Sequence, residues 1–188
     1  STTSDPVAAR ASPPPESPDQ NKEPIAIRPA RWEDAEALEA LWWHLLEEQA
    51  ALDPTFAPAE DARRRWRNDF MLWVRDRMYR LLVADRSGEL VGFVSAHQWS
   101  PPPIYRQELE VYIDELYVLP DYRRQGIGAQ LVSAVRVWAQ EVGAVRLRLG
   151  VLAANREGLA FWERQQARPF SLTLIIPLTE FQKPDAET

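Results

Sequence analysis

Two short stretches of this 188-residue chain concentrate groups that could do chemistry. The first is DYRRQGIGAQL, residues 121–131, which sets Arg123, Arg124, Gly126 and Gly128 between a strand-like apolar run and a helix-like one. The leading amides of a helix lack internal partners and carry the positive end of its dipole. Glycine lets a ligand approach that backbone closely, and arginine adds formal charge, so the joint suits an anion such as a phosphate. It is no Walker loop, which needs a Gly-Lys-Ser/Thr ending, and no dinucleotide fingerprint, because Leu131 stands where the third glycine would fall. On these residues alone, an ordinary helix start beside a surface arginine pair is the alternative.

The second stretch is the acidic pair Asp114-Glu115 inside LEVYIDELYVLP. Leu109, Val111 and Ile113 fall on odd positions, whereas Leu116 and Val118 fall on even ones. Side chains of a regular strand alternate strictly, so the switch of parity calls for one extra residue near Asp114-Glu115, a β-bulge, or for a strand buried on both faces. A bulge leaves backbone groups unpaired next to two carboxylates. Carboxylates within an apolar strand are unfavourable unless they meet cations or water. Asp114 and Glu115 are therefore the candidates for a general base, or for holding a cationic amine, with exposure to solvent at the bulge as the alternative for each. Glu108, Glu110 and Tyr112 are weaker candidates upstream on the same strand.

The elements that must position these groups follow from periodicity. IAIRP (25–29) alternates as a short strand. Residues 31–52 and about 60–76 have helical apolar spacing, the first ended by Asp53-Pro54. A hairpin joins 79–85 to 90–99 through Ser87-Gly88. The proline-rich loop 100–108 cannot join a sheet. A long strand at 109–119 leads into a helix at 126–142, a strand at 145–152, a helix at 155–166 and a strand, FSLTLIIPL, at 170–178. The order is βααβββαβαβ.

Composition narrows the function. Net charge is −6, against a general nucleic-acid binder and in favour of a cationic partner. No apolar run approaches a membrane span, and residues 1–24 contain no signal-like apolar stretch. No cysteine and two histidines, His44 and His97, leave no expected metal site. A reducing, cytoplasmic setting is the expectation. Residues 1–24 hold 6 of the 16 prolines and no aromatic, the composition of a disordered tail. Residues 25–182 are expected to form a single domain and 183–188 a C-terminal tail.

The pattern Arg123-Arg124-Gln125-Gly126-Ile127-Gly128, preceded by the strand ELYVLPDY and followed by helix, strand and AANREGLAFWERQQA, resembles the GNAT superfamily of N-acetyltransferases over residues 25 to about 178. The resemblance implies an α+β GNAT fold: a mixed, mostly antiparallel sheet of six to seven strands, helices on both faces, split by the bulged strand at about 109–119. It implies acetyl-CoA as co-substrate, with Arg123 and the backbone of Arg124, Gln125, Gly126, Ile127, Gly128 and Ala129 on the pyrophosphate. The backbone of Leu116, Tyr117 and Val118 would pair with the pantetheine arm, Asn155 would contact that arm, and an amide near Leu116 would hold the oxyanion. Asn155 also suits a helix N-cap. Family members often protonate the leaving thiolate with a tyrosine; here Phe161-Trp162-Glu163 puts Trp162 in its place, and an indole is a donor without useful acidity. Trp162 would line the acetyl and sulfur pocket. The expected acceptor is a small-molecule cationic amine held by Asp114 and Glu115, with Phe56, on the connection between the first two helices, as a substrate contact and Glu47 and Glu48 adding negative field. Trp42, Trp43, Trp66 and Trp73 are expected in the core or cleft wall, His97 in a structural place, and Arg63, Arg64, Arg65 and Arg67 on a solvated helix face. A homodimer through the last strand is expected. The competing reading is a non-catalytic acyl-CoA-binding or sensing module.

Overall fold

The computed structural model describes residues 23–178, so the expected tails lie largely outside the described residues. The elements are β1 (Ala26–Pro29), α1 (Ala35–Leu52), α2 (Ala62–Trp73), β2 (Tyr79–Arg86), β3 (Glu89–Trp99), β4 (Glu110–Val118), α3 (Ile127–Glu141), β5 (Arg146–Leu149) and α4 (Arg156–Arg164). Local chemistry sets their ends. The Asp53 carboxylate accepts from the Thr55 amide at 2.9 Å and stops α1. Ser87 and Gly88 adopt φ of 49° and 93°, the left-handed pair that a two-residue hairpin turn requires.

The strands lie in the order β1-β2-β3-β4-β5. All neighbours are antiparallel except β4 and β5, which are parallel and joined through α3. Two cores flank the sheet. On one face Leu82, Val94, Val111 and Ile113 pack against Ile127, Leu131, Val135 and Trp138 of α3. On the other, Leu81, Val83, Phe93 and Tyr117 pack against Leu38, Leu41 and Leu45 of α1 and Trp66 and Phe70 of α2.

The sheet has five strands, not six to seven. Residues 170–178 form no strand, and the side chains of Phe170, Leu172, Leu174, Ile175, Ile176 and Leu178 are 67–95% exposed. An apolar alternating run becomes a strand only where a partner edge takes up its amides, and among the described residues none does.

The long strand does carry the bulge. Ser95 pairs with Glu115 and Ala96 with Ile113, so Asp114 is the extra residue. Before it, Val111 and Ile113 face α3; after it, Leu116 and Val118 do. The β3–β4 pair is also unusually close at its other end: a Cβ on Gly92 would sit 2.8 Å from the Tyr117 carbonyl oxygen. Gly92→Ala is expected to lower unfolding stability by about 1–3 kcal/mol in denaturant titration, the range for overpacking a close-packed interior; a change below about 0.5 kcal/mol would show that β4 moves aside freely.

Candidate active site

The bulge turns two consecutive side chains toward the α1 face. Asp114 Oδ2 lies 2.7 Å from His97 Nδ1. His97 in turn sits between the rings of Tyr79 and Tyr112, at centroid distances of 5.5 and 5.7 Å. Burial raises the Asp114 carboxyl above its ordinary range, and the His97 contact opposes the rise. Glu115 is more extreme. Its Oε2 is buried with no hydrogen-bond partner. Burial, and secondarily the Asp114 charge, push its carboxyl to about 7, with the Trp42 indole of α1 favouring the charged form.

Past the bulge, β4 has a free edge. Its pairing with β5 ends at Ile113 and Leu149, while pairing with β3 continues to Val118. In an antiparallel ladder successive residues direct their N–H and C=O to opposite sides. The Leu119 amide donates to the Val91 carbonyl at 2.9 Å, and the Tyr117 carbonyl faces Gly92. Leu116 and Val118 therefore point their backbone groups to the open side. Tyr117, expected among the backbone contacts of this edge, turns its backbone to β3 instead. The Val118 carbonyl is already taken by Arg123 Nε at 2.8 Å. The open groups are the Leu116 N–H and C=O and the Val118 N–H.

The loop beyond supplies donors. Among the described residues no backbone carbonyl accepts from the amides of Arg124, Gln125, Gly126, Ile127, Gly128 or Ala129; the first helical bond of α3 is made by Gln130 to Gly126. Arg124 and Gly126 adopt positive φ, 59° and 81°, which curls these amides around one point. A Cβ on Gly128 would lie 3.1 Å from the Phe161 ring, so glycine lets α4 pack on the start of α3. The Ile127 side chain is buried in the core and offers only its amide.

Arg123 departs from the expected phosphate role. Its guanidinium faces α1, with Nη2 at 2.8 and 2.9 Å from the two Glu48 oxygens. The Tyr117 hydroxyl donates to the same carboxylate at 3.1 Å, and the Arg123 guanidinium lies 5.3 Å from the Tyr117 ring centre. Arg124 is exposed and makes no ion pair among the described residues. The Gln125 side chain folds back onto the Asp121 carbonyl at 3.3 Å.

Asn155 caps α4, its Oδ1 accepting from the Gly158 amide at 2.8 Å, and its Nδ2 has no hydrogen-bond partner among the described residues. Trp162 packs half-buried on the α3-side core and meets Phe161 edge to face at 5.0 Å. Phe56, 46% exposed, stands on the connection between α1 and α2. In the α1–α2 layer the Trp42 and Trp66 rings meet at a tilt with centroids 5.6 Å apart, and Trp66 stacks on Phe70 at 5.0 Å, as expected of core or cleft-wall aromatics. The arginines of α2 lie on an exposed helix face, as expected, and two of them also make contacts there: Arg63 and Arg67 reach the buried carboxylate of Glu39 on α1, and Arg63 covers Trp43 at 4.2 Å. Glu110 is 2% exposed and held by Arg146 and Arg148, a structural tie at the base of β4 and β5.

Sequence reasoning names His97 and Glu48 but misses the contacts that bring them into the site. His97 shares strand parity with Phe93, which places it on the α1 face, but its pairing with Asp114 depends on the register the bulge creates. Glu48 lies 75 residues from Arg123, and no local pattern joins them. Among the described residues no cluster of three or more His, Cys, Asp or Glu could hold a metal, and no helix is long and apolar enough to cross a membrane.

The chain is similar to proteins that share this framework. A family model described as the acetyltransferase (GNAT) family matches residues 30–167. Thialysine N-epsilon-acetyltransferase of Bos taurus is 36% identical over 53 residues, 28% of this chain and 31% of the relative, so the chain spans about a third of that protein's length. Among solved structures, a tetramutant of the BH1408 protein from Bacillus halodurans superposes with a TM-score of 0.73 at 21% identity, covering 81% of this chain and 99% of the other. The aminoglycoside acetyltransferase AAC(6')-Iy, in complex with the bisubstrate analogue CoA-S-monomethyl-acetylneamine, superposes with a TM-score of 0.65 at 17% identity, covering 84% and 99%. At those identities the structures speak for the fold alone, whereas the family model spans well over half of the residues. The chain belongs to the acetyltransferase (GNAT) family.

Proposed function

We propose that this chain is an acyltransferase that moves the acetyl group of acetyl-CoA to the primary amine of a small cationic molecule, in a single acetyltransferase domain spanning residues 25–182 and working in the cytoplasm. The carrying observation is the bulge: it sets a buried carboxylate with one unpartnered oxygen, Glu115 Oε2, beside an open stretch of strand backbone that leads to six amides unengaged among the described residues. Bound acetyl-CoA would supply an acetyl thioester to which a neutral amine can add. The amides of Arg124 to Ala129 would take the pyrophosphate, with Arg124 adding charge. Leu116 and Val118 would pair with the pantetheine arm as a strand edge does, Asn155 Nδ2 would reach the same arm, and Trp162 would line the sulfur pocket. The Leu116 amide, open on the free side of β4, would donate to a developing oxyanion. Glu115 would take the proton from the amine, and Asp114, steadied by His97, would hold the cation. Phe56 would form part of the acceptor wall. The relatives named for thialysine and aminoglycoside acetylation support an amine acceptor. Trp162, an indole where an acid would serve, favours the second reading, a non-catalytic acyl-CoA-binding module.

Calorimetric titration with acetyl-CoA, followed by free-thiol release with spermidine, kanamycin, thialysine and a peptide N-terminus, separates the two. The expectation is binding and amine-dependent thiol release, largest with the small cations; binding without release from any amine would favour the second reading. Because only the carboxylate can accept a proton, kcat/KM should rise with pH through about 7. Glu115→Gln should lower kcat by about 10²–10⁴ and remove that limb. If the limb survives in Glu115→Gln, Glu115 is not the base.

The same carboxyl links stability to pH. Its folded value lies above its ordinary 4.5, so the native state holds the proton more tightly than the unfolded chain. The stabilisation is complete below about 4.5 and is lost as pH rises through about 7, up to about 3 kcal/mol in all. Denaturant unfolding at pH 5 and pH 8.5 should therefore show wild type losing stability relative to Glu115→Gln on going to the higher pH; parallel behaviour would mean that Glu115 is solvated.

The exposed apolar run 170–178 supports a homodimer in which this segment is covered by a second copy. Sedimentation should give a dimer for wild type and a monomer for the Leu174→Asp, Ile176→Asp double variant; a monomeric wild type would overturn the dimer.

A further inference from the structure

A thiolate can leave unaided into solvent, but a proton delivered to its sulfur eases the departure, and α4 presents only the indole of Trp162 where an acid would be useful. We propose that the hydroxyl of Tyr112 supplies this proton, an inference that rests on the acyl-transfer reading above. Tyr112 pairs with Arg148 in the penultimate rung of the β4–β5 ladder; Ile113 and Leu149 form the last. Its hydroxyl reaches over Gly150, the first residue beyond β5: a Cβ there would lie 3.3 Å from the phenolic oxygen. The hydroxyl thus stands at the mouth of the gap between β4 and β5, where Leu116 and Val118 begin to offer free backbone groups. Glycine at 150 keeps that mouth clear.

The side chain is held and its polar end is spare. The ring stacks on His97 at 5.7 Å and 29°, and His97 is fixed by Asp114 at 2.7 Å. The Tyr117 and Tyr122 hydroxyls are engaged by Glu48 and Glu89, but that of Tyr112 has no partner among the described residues. Tyr112 and Glu115 flank the same opening, so acid and base approach the reacting carbonyl from neighbouring strand positions. In the step, the amine nitrogen bonds the acetyl carbon and the carbon–sulfur bond breaks with its electron pair on sulfur. The Tyr112 proton passes to sulfur and the amine proton to Glu115. Return of that proton from Glu115 to the phenolate through solvent restores the enzyme, and the net products are amide and thiol.

Tyr112→Phe keeps the ring stack and removes only the donor. Calorimetry with coenzyme A and with desulfo-coenzyme A reads the contact without turnover. Wild type should bind coenzyme A about three- to tenfold more tightly than the desulfo compound, the scale of one hydrogen bond, and Tyr112→Phe should abolish the difference at an unchanged melting temperature. With the best amine of the panel, kcat should fall about 10²–10³-fold, with KM for acetyl-CoA within about threefold. Adding Trp162→Tyr to Tyr112→Phe should recover at least about tenfold of the loss. A discrimination between the two coenzymes that survives in Tyr112→Phe, or a kcat within about threefold of wild type, overturns the assignment. If wild type transfers to no amine, the acyl-transfer reading fails, and the coenzyme comparison still decides whether Tyr112 meets the sulfur.

Discussion

The insertion of Asp114 into β4 is the constraint on which the site depends. Without it, either Val111 and Ile113 or Leu116 and Val118 would face the wrong layer. Two misplaced aliphatic side chains forfeit about 3–6 kcal/mol of burial, against about 1 kcal/mol for a lost ladder hydrogen bond. The apolar pattern therefore fixes the bulge. Its consequences are chemical: it brings Asp114 and Glu115 to one face, where regular alternation would part them. Just past the same residue, pairing with β5 ends and the strand's backbone becomes available.

That edge has a definite end, and Arg123 sets it. The guanidinium takes the Val118 carbonyl and the Glu48 carboxylate together, with the Tyr117 hydroxyl completing the group. Both partners of the ion pair are more than a third exposed, so the charge attraction itself contributes little. The value of the arrangement is geometric. It ties the loop of free amides to α1, and α1 also carries Trp42, the indole that bears on Glu115. The loop of free amides and the Glu115 side of the site are thereby indexed to the same helix.

Periodicity made most of this framework legible. The helices, the hairpin at Ser87-Gly88, the parity slip and the glycine-rich helix start are local patterns, and each reports a local physical requirement. The residue contacts within the site were less legible because they depend on register. Arg123 and Arg124 are neighbours of identical type, yet one is drawn to Glu48 and the other stays at the loop surface; only the approach of α1 distinguishes them. His97 gains its partner because the bulge shifts the β3–β4 pairing by one. The apolar run 170–178 has the alternation of a strand, but a strand is a property of two segments, and sequence specifies only one of them.

The base of that run is nonetheless fixed. Arg148 lies between the faces of Trp99 and Phe170, at 4.7 and 4.6 Å, and is bonded to the buried carboxylate of Glu110. A guanidinium held by a buried carboxylate cannot drift, and it presents a flat face on which Phe170 rests. After α4 the chain is therefore brought back against Arg148 of β5 at a set point, Phe170, before the apolar side chains that follow it emerge. The buried ion pair that holds the base of β4 thus also fixes the point from which the exposed apolar run departs.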